Sequence, residues 1–331
     1  MTTALVTGAG GFIGGHLVAD LVRQGKDVVA VDIKALDEWF QLHGDATNHR
    51  RDVSDSEACR ALIGKGRFDE VYNLAADMGG MGFIENNKAL CMLSVLINTN
   101  MLRAALDGQI GRYFFSSSAC VYAAGKQTDP DVTALKEDDA YPAMPEDGYG
   151  WEKLFSERMC RHFTEDFGLE TRVARYHNVY GPMGTYDGGR EKAPAAISRK
   201  IAEAKLSGRH EIEIWGDGEQ TRSFMYIDDC VEGTQRIMGS DVQEPLNLGS
   251  DELVSINDLV SMVEGIAGIQ VKRNYDLSAP QGVRGRNSDN DLIKERLGWA
   301  PSISLQDGME RTYRWIHDQV RADSRRPIAV P

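Results

Sequence analysis

The segment Ala4-Leu5-Val6-Thr7-Gly8-Ala9-Gly10-Gly11-Phe12-Ile13-Gly14 begins as a short apolar strand pattern and continues into a glycine-rich turn. An amphipathic stretch follows, from Ile13 to Arg23, and its period predicts a helix. Glycines in such a turn let the backbone approach a pyrophosphate, which then lies at the N-terminus of the helix. We therefore predict a dinucleotide site here, contacted by Gly8, Gly11, Phe12, Ile13 and Gly14.

A second buried strand pattern, Val28–Asp32, ends in an acidic residue. A carboxylate at this position can bind a ribose diol and would repel a 2′-phosphate, so NAD is favoured over NADP. Lys34 is close enough to weaken this preference without reversing it. Asp52 and Val53 end a third strand-like segment and could contact adenine, although an ordinary loop-end aspartate is an equally acceptable interpretation.

Strand and helix patterns alternate through the first half of the chain. Such alternation predicts an α/β fold in which helices cover both faces of a parallel, doubly wound sheet. The further strand candidates are Glu70–Ala75, Tyr113–Ser117 and Thr171–Tyr176, and the helix candidates between them are Ser56–Ile63, Asn87–Leu106 and Gly148–Phe167.

The pattern loosens after about residue 178, where glycines mark a long loop. Short strand and helix candidates follow, which favour a smaller lobe packed on the first domain. We predict a cofactor-binding domain over residues 1–178 and, over 179–322, mostly a smaller α/β substrate-binding lobe. Some segments of that lobe are expected to return to the first domain, and residues 323–331 to form a frayed tail. The candidates are Pro194–Leu206, Glu211–Trp215, Phe224–Ile227, Asp228–Met238, Pro245–Leu248, Ile256–Ile266 and Leu305–Val320.

The composition excludes several functional classes. Apolar residues make up 42% and charged residues 26% of the 331 residues, as in globular proteins. We expect no apolar run that approaches the roughly 18–20 residues of a membrane span. Five cysteines without a CxxC pair or zinc-like spacing predict free thiols in a reducing cytoplasm and no metal site. A net charge of −13 disfavours nucleic acid and anionic membranes as partners.

Tyr149 and Lys153 form a YxxxK pattern within a helix candidate. The i,i+4 spacing places both side chains on one face of the helix. A neighbouring ammonium and a positively charged nicotinamide ring favour the phenolate form of a tyrosine, which could then accept a proton from a sugar hydroxyl. YxxxK alone is common, but Ser116-Ser117-Ser118 at the end of a strand candidate supplies a second hydroxyl and makes the combination more specific.

Together these motifs resemble the extended short-chain dehydrogenase/reductase family. The resemblance implies a Rossmann domain with tightly held NAD, a C-terminal lobe that binds a nucleotide sugar, and a homodimer. It also implies that Ser118 hydrogen-bonds the substrate oxygen while Tyr149, beside Lys153, exchanges its proton. The supporting motifs are Gly8/Gly11/Gly14, Asp32, Asn98-Thr-Asn100, Ser116–Tyr122, His177-Asn178 and Tyr180-Gly181-Pro182.

Cys120 stands two residues after Ser118. The dehydratase branch of the family has an acidic pair after the catalytic hydroxyl, and simple 4-epimerases have an unreactive residue there. The strings 75–82, 118–120, 188–194 and 284–289 are instead similar to the GDP-mannose 3,5-epimerase branch. That similarity implies that Cys120 and Lys192 are an acid/base pair, which converts GDP-mannose to GDP-L-galactose through a transient 4-ketone. Nearby positive charge would help the thiol act as a proton shuttle.

A GDP-sugar diphosphate requires cations despite the acidic total charge. Arg222, Arg284 and Arg286 are candidates because guanidinium groups bind phosphate oxygens well, although Arg222 could equally form a surface ion pair. Nothing in the sequence shows what recognises guanine. The resemblance places Ala75 at NAD, Arg286 and Ser288 near the nucleotide, and Met81, Gly82, Asn178 and Lys192 around the hexose.

Two alternatives stay open. One is a related epimerase that inverts a single centre, C4 or C5, or that acts on another sugar such as a GDP-heptose. The other is an NAD-binding protein without catalysis. Cys120 and Lys192 argue against pure C4 epimerisation, and the presence of Ser118 with the YxxxK pair argues against a loss of catalysis.

Overall fold

The computed structural model describes residues 2–64 and 66–323. The predicted frayed tail lies outside these residues except for Asp323, which ends the last helix. The strands are β1 (Thr3–Thr7), β2 (Asp27–Asp32), β3 (Thr47–Arg50), β4 (Glu70–Asn73), β5 (Arg112–Ser118), β6 (Thr171–Tyr176), β7 (Val179–Tyr180), β8 (Glu211–Trp215), β9 (Thr221–Ser223), β10 (Met225–Tyr226), β11 (Leu246–Leu248), β12 (Leu253–Ser255), β13 (Lys272–Asp276) and β14 (Gly285–Arg286).

Most helices match the sequence-based candidates, and each half of the chain adds one short helix that the sequence pattern did not predict. They are α1 (Phe12–Arg23), α2 (Ser56–Ile63), α3 (Met81–Asn86), α4 (Lys88–Met92), α5 (Ser94–Gly108), α6 (Tyr149–Phe167), α7 (Ala193–Ser207), α8 (Ile227–Gly239), α9 (Ile256–Ala267), α10 (Asp291–Leu297) and α11 (Leu305–Asp323).

The central sheet is parallel throughout, in the order β11-β6-β5-β4-β1-β2-β3 among the described residues. Leu5 of β1 lies between Val29 of β2 and Val71 of β4. The strand order reverses at β1, and the carboxyl ends of β1 and β4 flank that point, where ligands bind in folds of this kind. The predicted doubly wound parallel sheet is confirmed.

The two faces of the sheet are covered by different helices. On β2, Val28 and Ala30 join an apolar cluster that includes α1, α8 and much of the second half of the chain. Val29 and Val31 point the other way, into a cluster with α2, α5 and the buried side of α6. Successive strand residues face opposite sides, so this division follows from the strand period itself.

Short strands of the second half form small sheets beside the central one. Strand β9 pairs with β12 and β14, and β8 pairs with β13. Of these, the sequence pattern predicted only β8; β9 and β14 are too short to give a period. They nevertheless carry Arg222 and Arg286, two of the predicted site residues. The division into residues 1–178 and 179–322 stays a prediction, and β11 from the second half pairs with β6.

The predicted helix over Asn87–Leu106 is two helices, α4 and α5, separated at Leu93. Among the described residues, the stretch Lys88–Gly108 has the length and composition of a membrane span. Its most apolar 18 residues have a mean hydropathy of 1.5, and 39% of them are buried in the protein. By this criterion the expectation that no apolar run reaches span length is wrong. Met101 and Leu102 pack into the apolar core of the domain, as apolar residues of core helices do in globular proteins.

Candidate active site

The predicted site residues come together at the carboxyl edge of the central sheet. The glycine turn follows β1, Asp32 ends β2, and Ala75 lies two residues beyond β4. Ser118 ends β5 and Asn178 follows β6. Parallel strands bring these positions to one edge, which explains how residues far apart in sequence form one site.

The glycine turn has the geometry of a phosphate cradle. Gly8 has φ +76°, and a Cβ there would lie 2.9 Å from the backbone nitrogen of Ala75. A Cβ on Gly14 would collide with the carbonyl oxygen of Gly8. Gly11 caps the N-terminus of α1 without a side-chain hydrogen bond, so the first backbone N–H groups of the helix can face an anion.

Asp32 is buried beside this cradle. Its carboxylate accepts hydrogen bonds from the backbone N–H groups of Gly10 and Lys34, both at 3.0 Å. These bonds fix its orientation, while a carboxylate has further acceptor capacity for ribose hydroxyls. The Lys34 ammonium donates to the carbonyl of Gly10 at 3.2 Å. Lys34 is therefore tied to the turn rather than to Asp32.

The remaining cofactor candidates differ in how they are placed. Val53 is buried, and Ala75 packs against Gly8. Asp52 is exposed, and its Oδ1 accepts hydrogen bonds from the backbone and hydroxyl of Ser54. Asp52 thus has a local structural role already, and its contact with adenine stays a prediction.

Tyr149 and Lys153 occupy the first turns of α6 and are both buried. The Lys153 Nζ lies 5.5 Å from the centre of the Tyr149 ring. Burial raises the pKa of Tyr149, and nearby Cys120 and Glu152 raise it further, while a hydrogen bond with Ser118 lowers it. The structure therefore brings the predicted tyrosine and lysine, both buried, together with the half-buried serine.

Glu152 is a member of this group that sequence analysis did not single out. Its Oε2 lies 3.5 Å from the Lys153 Nζ, and both side chains are buried. Oε1 accepts a hydrogen bond from Ser156, whereas Oε2 has no hydrogen-bond partner among the described residues. In the sequence, Glu152 is marked only by its position between Tyr149 and Lys153. An acidic residue within a helix is ordinarily expected to be exposed, so this position does not predict a buried carboxylate.

Cys120 and Lys192 interact electrostatically, and their role as an acid/base pair stays a prediction. Cys120 belongs to a buried cluster with Tyr149, Cys91 and Ile84. Lys192 caps the N-terminus of α7. Burial lowers the pKa of Lys192, and the nearby Cys120 and Cys230 partly oppose this shift. A lowered pKa makes the neutral amine, which is the form that accepts a proton, easier to reach.

The loop that carries Lys192 is held against the first half of the chain by Arg190. Its guanidinium donates to the Asp77 carboxylate at 2.7 Å and lies 3.8 Å from the centre of the Phe83 ring. The N–H of Gly80 donates to the Arg190 carbonyl at 3.0 Å. These contacts bring the predicted sugar-binding loop over residues 75–82 next to Lys192.

Arg222 and Arg286 are placed in different ways. Arg222 donates to the carbonyls of Thr221 and Val283, and burial lowers its pKa to about 10, with Cys120 opposing the shift. Arg286 is buried and contacts Cys120 and Glu146. Arg284 forms an exposed ion pair with Asp217 at 2.9 Å. The predicted role of Arg222 as a surface ion-pair partner finds no support, because its guanidinium binds backbone carbonyls.

The predicted sugar-contacting residues lie on two sides of the site. Asn178 has φ +44° and its amide donates to the carbonyl of Ser223 at 3.1 Å. Met81 lies against Gly282, where a Cβ would approach the Met81 Cε to 2.6 Å. Ser288 is fully buried, and its hydroxyl donates to Asn290 at 3.0 Å. Its contact with a nucleotide stays a prediction.

Trp215 is an exposed aromatic residue that sequence analysis missed as a site candidate. Its indole lies next to Gly82, where a Cβ would come within 3.4 Å of the ring. The ring is 43% exposed, and its N–H donates to the Glu213 carboxylate at 2.9 Å. Trp215 ends β8, and strand patterns favour aromatic residues for structural reasons, so its position beside Gly82 could be found only in three dimensions.

A buried polar network supports the strands that carry the site. Arg175 forms a bidentate ion pair with Glu157, in which Nε donates to Oε1 at 2.9 Å and Nη2 donates to Oε2 at 2.8 Å. Both side chains are 3% exposed. Ser117, next to the predicted catalytic hydroxyl, donates to Glu157. Arg175 also donates to the hydroxyl of Tyr122 at 3.2 Å. The network connects β5, β6 and α6 beneath Ser118 and Cys120.

Comparison with known proteins gives consistent similarities. Residues 4–249 match the model of a family described as the NAD dependent epimerase/dehydratase family. The chain is 46% identical over 319 residues to a GDP-mannose 3,5-epimerase of Arabidopsis thaliana, covering 96% of this chain and 83% of that one. It is 45% identical over 326 residues to a GDP-mannose 3,5-epimerase 1 of Oryza sativa subsp. indica, covering 98% and 84%.

Similarity to solved structures covers nearly the same extent. A UDP-glucose 4-epimerase from Thermotoga maritima, solved with UDP-glucose, matches with a TM-score of 0.87 at 26% identity. The match covers 96% of this chain and 100% of that chain. The glycine turn and the Lys192 loop both fall within these similarities.

Proposed function

Because the chain belongs to the NAD-dependent epimerase/dehydratase family, we propose that it inverts C3 and C5 of GDP-mannose and so produces GDP-L-galactose. The observation that carries this proposal is that Cys120 interacts electrostatically with both Tyr149 and Lys192. A redox step at C4 alone requires neither the thiol nor the ammonium. The names of the relatives that are 45 and 46% identical support the same reaction.

The residues of the glycine turn fit NAD. The cradle formed by Gly8, Gly11 and Gly14 would hold the pyrophosphate at the start of α1, and Asp32 would bind the adenosine ribose. NAD held there would supply the hydride acceptor for transient oxidation at C4 and the hydride donor after inversion, so the overall reaction would involve no net oxidation.

Tyr149, Lys153 and Ser118 serve the redox step. Tyr149 removes the proton of the C4 hydroxyl, and Ser118 donates a hydrogen bond to the same oxygen. The Lys153 ammonium stabilises the phenolate, which burial alone would disfavour. The Glu152 carboxylate lies 3.5 Å from the Lys153 Nζ and partly neutralises its charge. Glu152 therefore weakens the stabilisation that Lys153 gives to the Tyr149 phenolate.

Cys120 and Lys192 serve the inversion. A ketone at C4 acidifies the hydrogens on C3 and C5, and inversion requires one group that removes a proton and another that returns one on the opposite face. A single base would return the proton to its original side. The lowered pKa of Lys192 makes its neutral, proton-accepting form easier to reach, and the Arg286 guanidinium contacts the Cys120 sulfur.

The nucleotide portion of the substrate would extend from the hexose towards β8 and β9. Arg222 carries a positive charge that is bound to carbonyls, so it can bind the diphosphate without first breaking an ion pair. Trp215, exposed beside Gly82, offers a flat ring on which guanine would stack. The Glu213 carboxylate beside the indole could accept hydrogen bonds from guanine N–H groups.

The experiment that tests this function offers the purified protein, with NAD, either GDP-mannose or UDP-glucose and follows the sugar by NMR. We expect inversion at C3 and C5 of GDP-mannose and no reaction of UDP-glucose. Tyr149→Phe is the matched control, because it removes one hydroxyl and should abolish turnover while NAD still binds. Inversion of UDP-glucose at C4 would instead identify a 4-epimerase.

We also propose a cytoplasmic homodimer. All five cysteines are free and buried, which suits a reducing compartment. Helices α4 and α5 pack against α6, and together they expose large apolar side chains. A second copy of the chain is the partner that fits, since a shared apolar face of this kind is typical of two-fold symmetric dimers. This apolar helix face consists of Leu90, Met92, Leu93, Leu96, Trp151 and Phe155, each at least 40% exposed.

A further inference from the structure

Arg286 is held by a separate partner at each of its guanidinium nitrogens. Nε donates to the Oε1 of Gln127 at 2.7 Å, and Nη1 donates to the Sγ of Cys120 at 3.7 Å. Nη2 donates to the carboxylate of Glu146 in an ion pair. Arg286 is 4% exposed, so these contacts fix its charge beside the thiol rather than leave it mobile in solvent.

Glu146 is attached to Cys120 by two routes. Its side chain reaches Cys120 through Arg286, and its backbone N–H donates to the carbonyl of Cys120 at 3.0 Å. It lies three residues before Tyr149, in the segment that leads into α6. Glu146 therefore connects the thiol, the arginine and the start of the helix that carries the tyrosine.

The groups around Cys120 carry an excess of positive charge. Arg286 touches the sulfur, and Arg222 and Lys192 lie within electrostatic reach of it. Cations favour a thiolate, yet a thiol that both removes and returns a proton must pass through both forms. A carboxylate bound to one of the cations offsets part of this charge. The titratable and charged groups near the sulfur are Arg286, Arg222, Lys192, Tyr149, Cys91 and Glu146.

We propose that Glu146 is a positioning residue for Cys120, which holds Arg286 on the sulfur and offsets its charge so that the thiol form stays accessible. The inference rests on the proposed function in that Cys120 is taken as one of the acid/base residues. Gln127 also holds the Arg286 guanidinium in place, because its side-chain amide accepts a hydrogen bond from Nε, but it adds no charge. Glu146 and Gln127 act on Cys120 through Arg286, and neither has a contact with the reacting carbons in the proposal.

The test measures the rate at which iodoacetamide alkylates Cys120 at each pH, read by mass spectrometry of its peptide. Thiolate is the reactive form, so the rate reports its fraction. Cys120 is 6% exposed, whereas Cys59, Cys91, Cys160 and Cys230 are 0% exposed, and burial raises the pKa of each of these four. Cys120 is therefore expected to react first.

Glu146→Gln keeps an acceptor for Arg286 and removes the charge. We expect the half-maximal pH of alkylation to fall by about 1 pH unit, the order of effect of one nearby charge. Asp147→Asn is the matched control: it removes a carboxylate one residue away that is 71% exposed and paired with Lys88, and should leave the curve unchanged. A Glu146→Gln curve that overlays those of the wild type and Asp147→Asn would overturn the proposal.

A second variant should shift the half-maximal pH of alkylation in the opposite direction. It provides an independent test even if Glu146→Gln folds poorly. Gln127→Glu has nearly the same shape and adds a carboxylate at the Arg286 Nε, so the half-maximal pH should rise. No change in that variant would equally overturn the proposal. Alkylation uses no sugar, and a protein that failed to convert GDP-mannose would still give these curves, so the two proposals fail separately.

Discussion

The Nζ of Lys153 lies 3.5 Å from the Oε2 of Glu152, its neighbour in the chain, and both side chains are buried. Glu152→Gln removes this carboxylate but keeps the oxygen that accepts from Ser156. Glu152 raises the pKa of Tyr149, so its loss lets the phenolate form at lower pH. We expect the ascending limb of the kcat–pH profile to move down by about 1 pH unit.

The control for this variant is Glu165→Gln, which removes an exposed carboxylate from the same helix, paired with Arg161. Its pH profile should match that of the wild type. A Glu152→Gln profile that also matched the wild type would mean that the buried carboxylate does not influence Tyr149.

Trp215 provides a test of nucleotide recognition that leaves the chemistry intact. Trp215→Ala removes the proposed stacking platform, and the KM for GDP-mannose should rise about 10-fold, in line with the contribution of base–aromatic stacking. The kcat should change little because the proposed stacking holds the base and does not involve the carbons that react. Trp215→Phe should recover most of the affinity. Equal losses in kcat and kcat/KM would place Trp215 in the reaction itself.

The ion pair between Glu157 and Arg175 predicts a large effect on stability. Glu157→Gln leaves the buried Arg175 charge without a counter-ion, and the free energy of unfolding should fall by about 3–5 kcal/mol. Chemical denaturation followed by circular dichroism measures this change. Arg161→Gln breaks an exposed pair on the same helix and should leave the denaturation midpoint unchanged. A small effect of Glu157→Gln would mean that water or rearrangement compensates the arginine.

The apolar helix face predicts the oligomeric state. The wild type should sediment at twice the mass of the chain, and Phe155→Glu should produce a monomer because it would place a charge within the proposed interface. Leu277→Glu changes another large exposed apolar residue, 68% exposed, that lies outside this face and should leave the dimer intact. A Phe155→Glu protein that remains dimeric would exclude this face as the interface.

Much of the fold could be predicted from local patterns. The glycine turn, the strand ending in Asp32 and the helix over Ser56–Ile63 follow from spacing and period, and the structure confirms them. The short strands β9 and β14 could not be predicted, because a strand of two or three residues has no measurable period. They are held in place by pairing with each other and with the loop around Gln127.

The candidate site divides in the same way. The spacing of Tyr149 and Lys153 predicts that they act together, and the family resemblance adds Ser118 and Cys120. The roles of Glu146 and Trp215 could not be found, since each depends on a contact with a residue far away in the sequence. Glu146 and Arg286 are 140 positions apart, and nothing in either local sequence indicates that they form an ion pair.

The central claim, that Cys120 and Lys192 invert C3 and C5 after oxidation at C4, is tested most directly by incubating the protein with NAD and GDP-mannose in D₂O. NMR should show deuterium at both C3 and C5 and the appearance of GDP-L-galactose. Cys120→Ala and Lys192→Met should each abolish inversion while NAD still binds. Inversion without deuterium at either carbon, or undiminished inversion by both variants, would contradict the account.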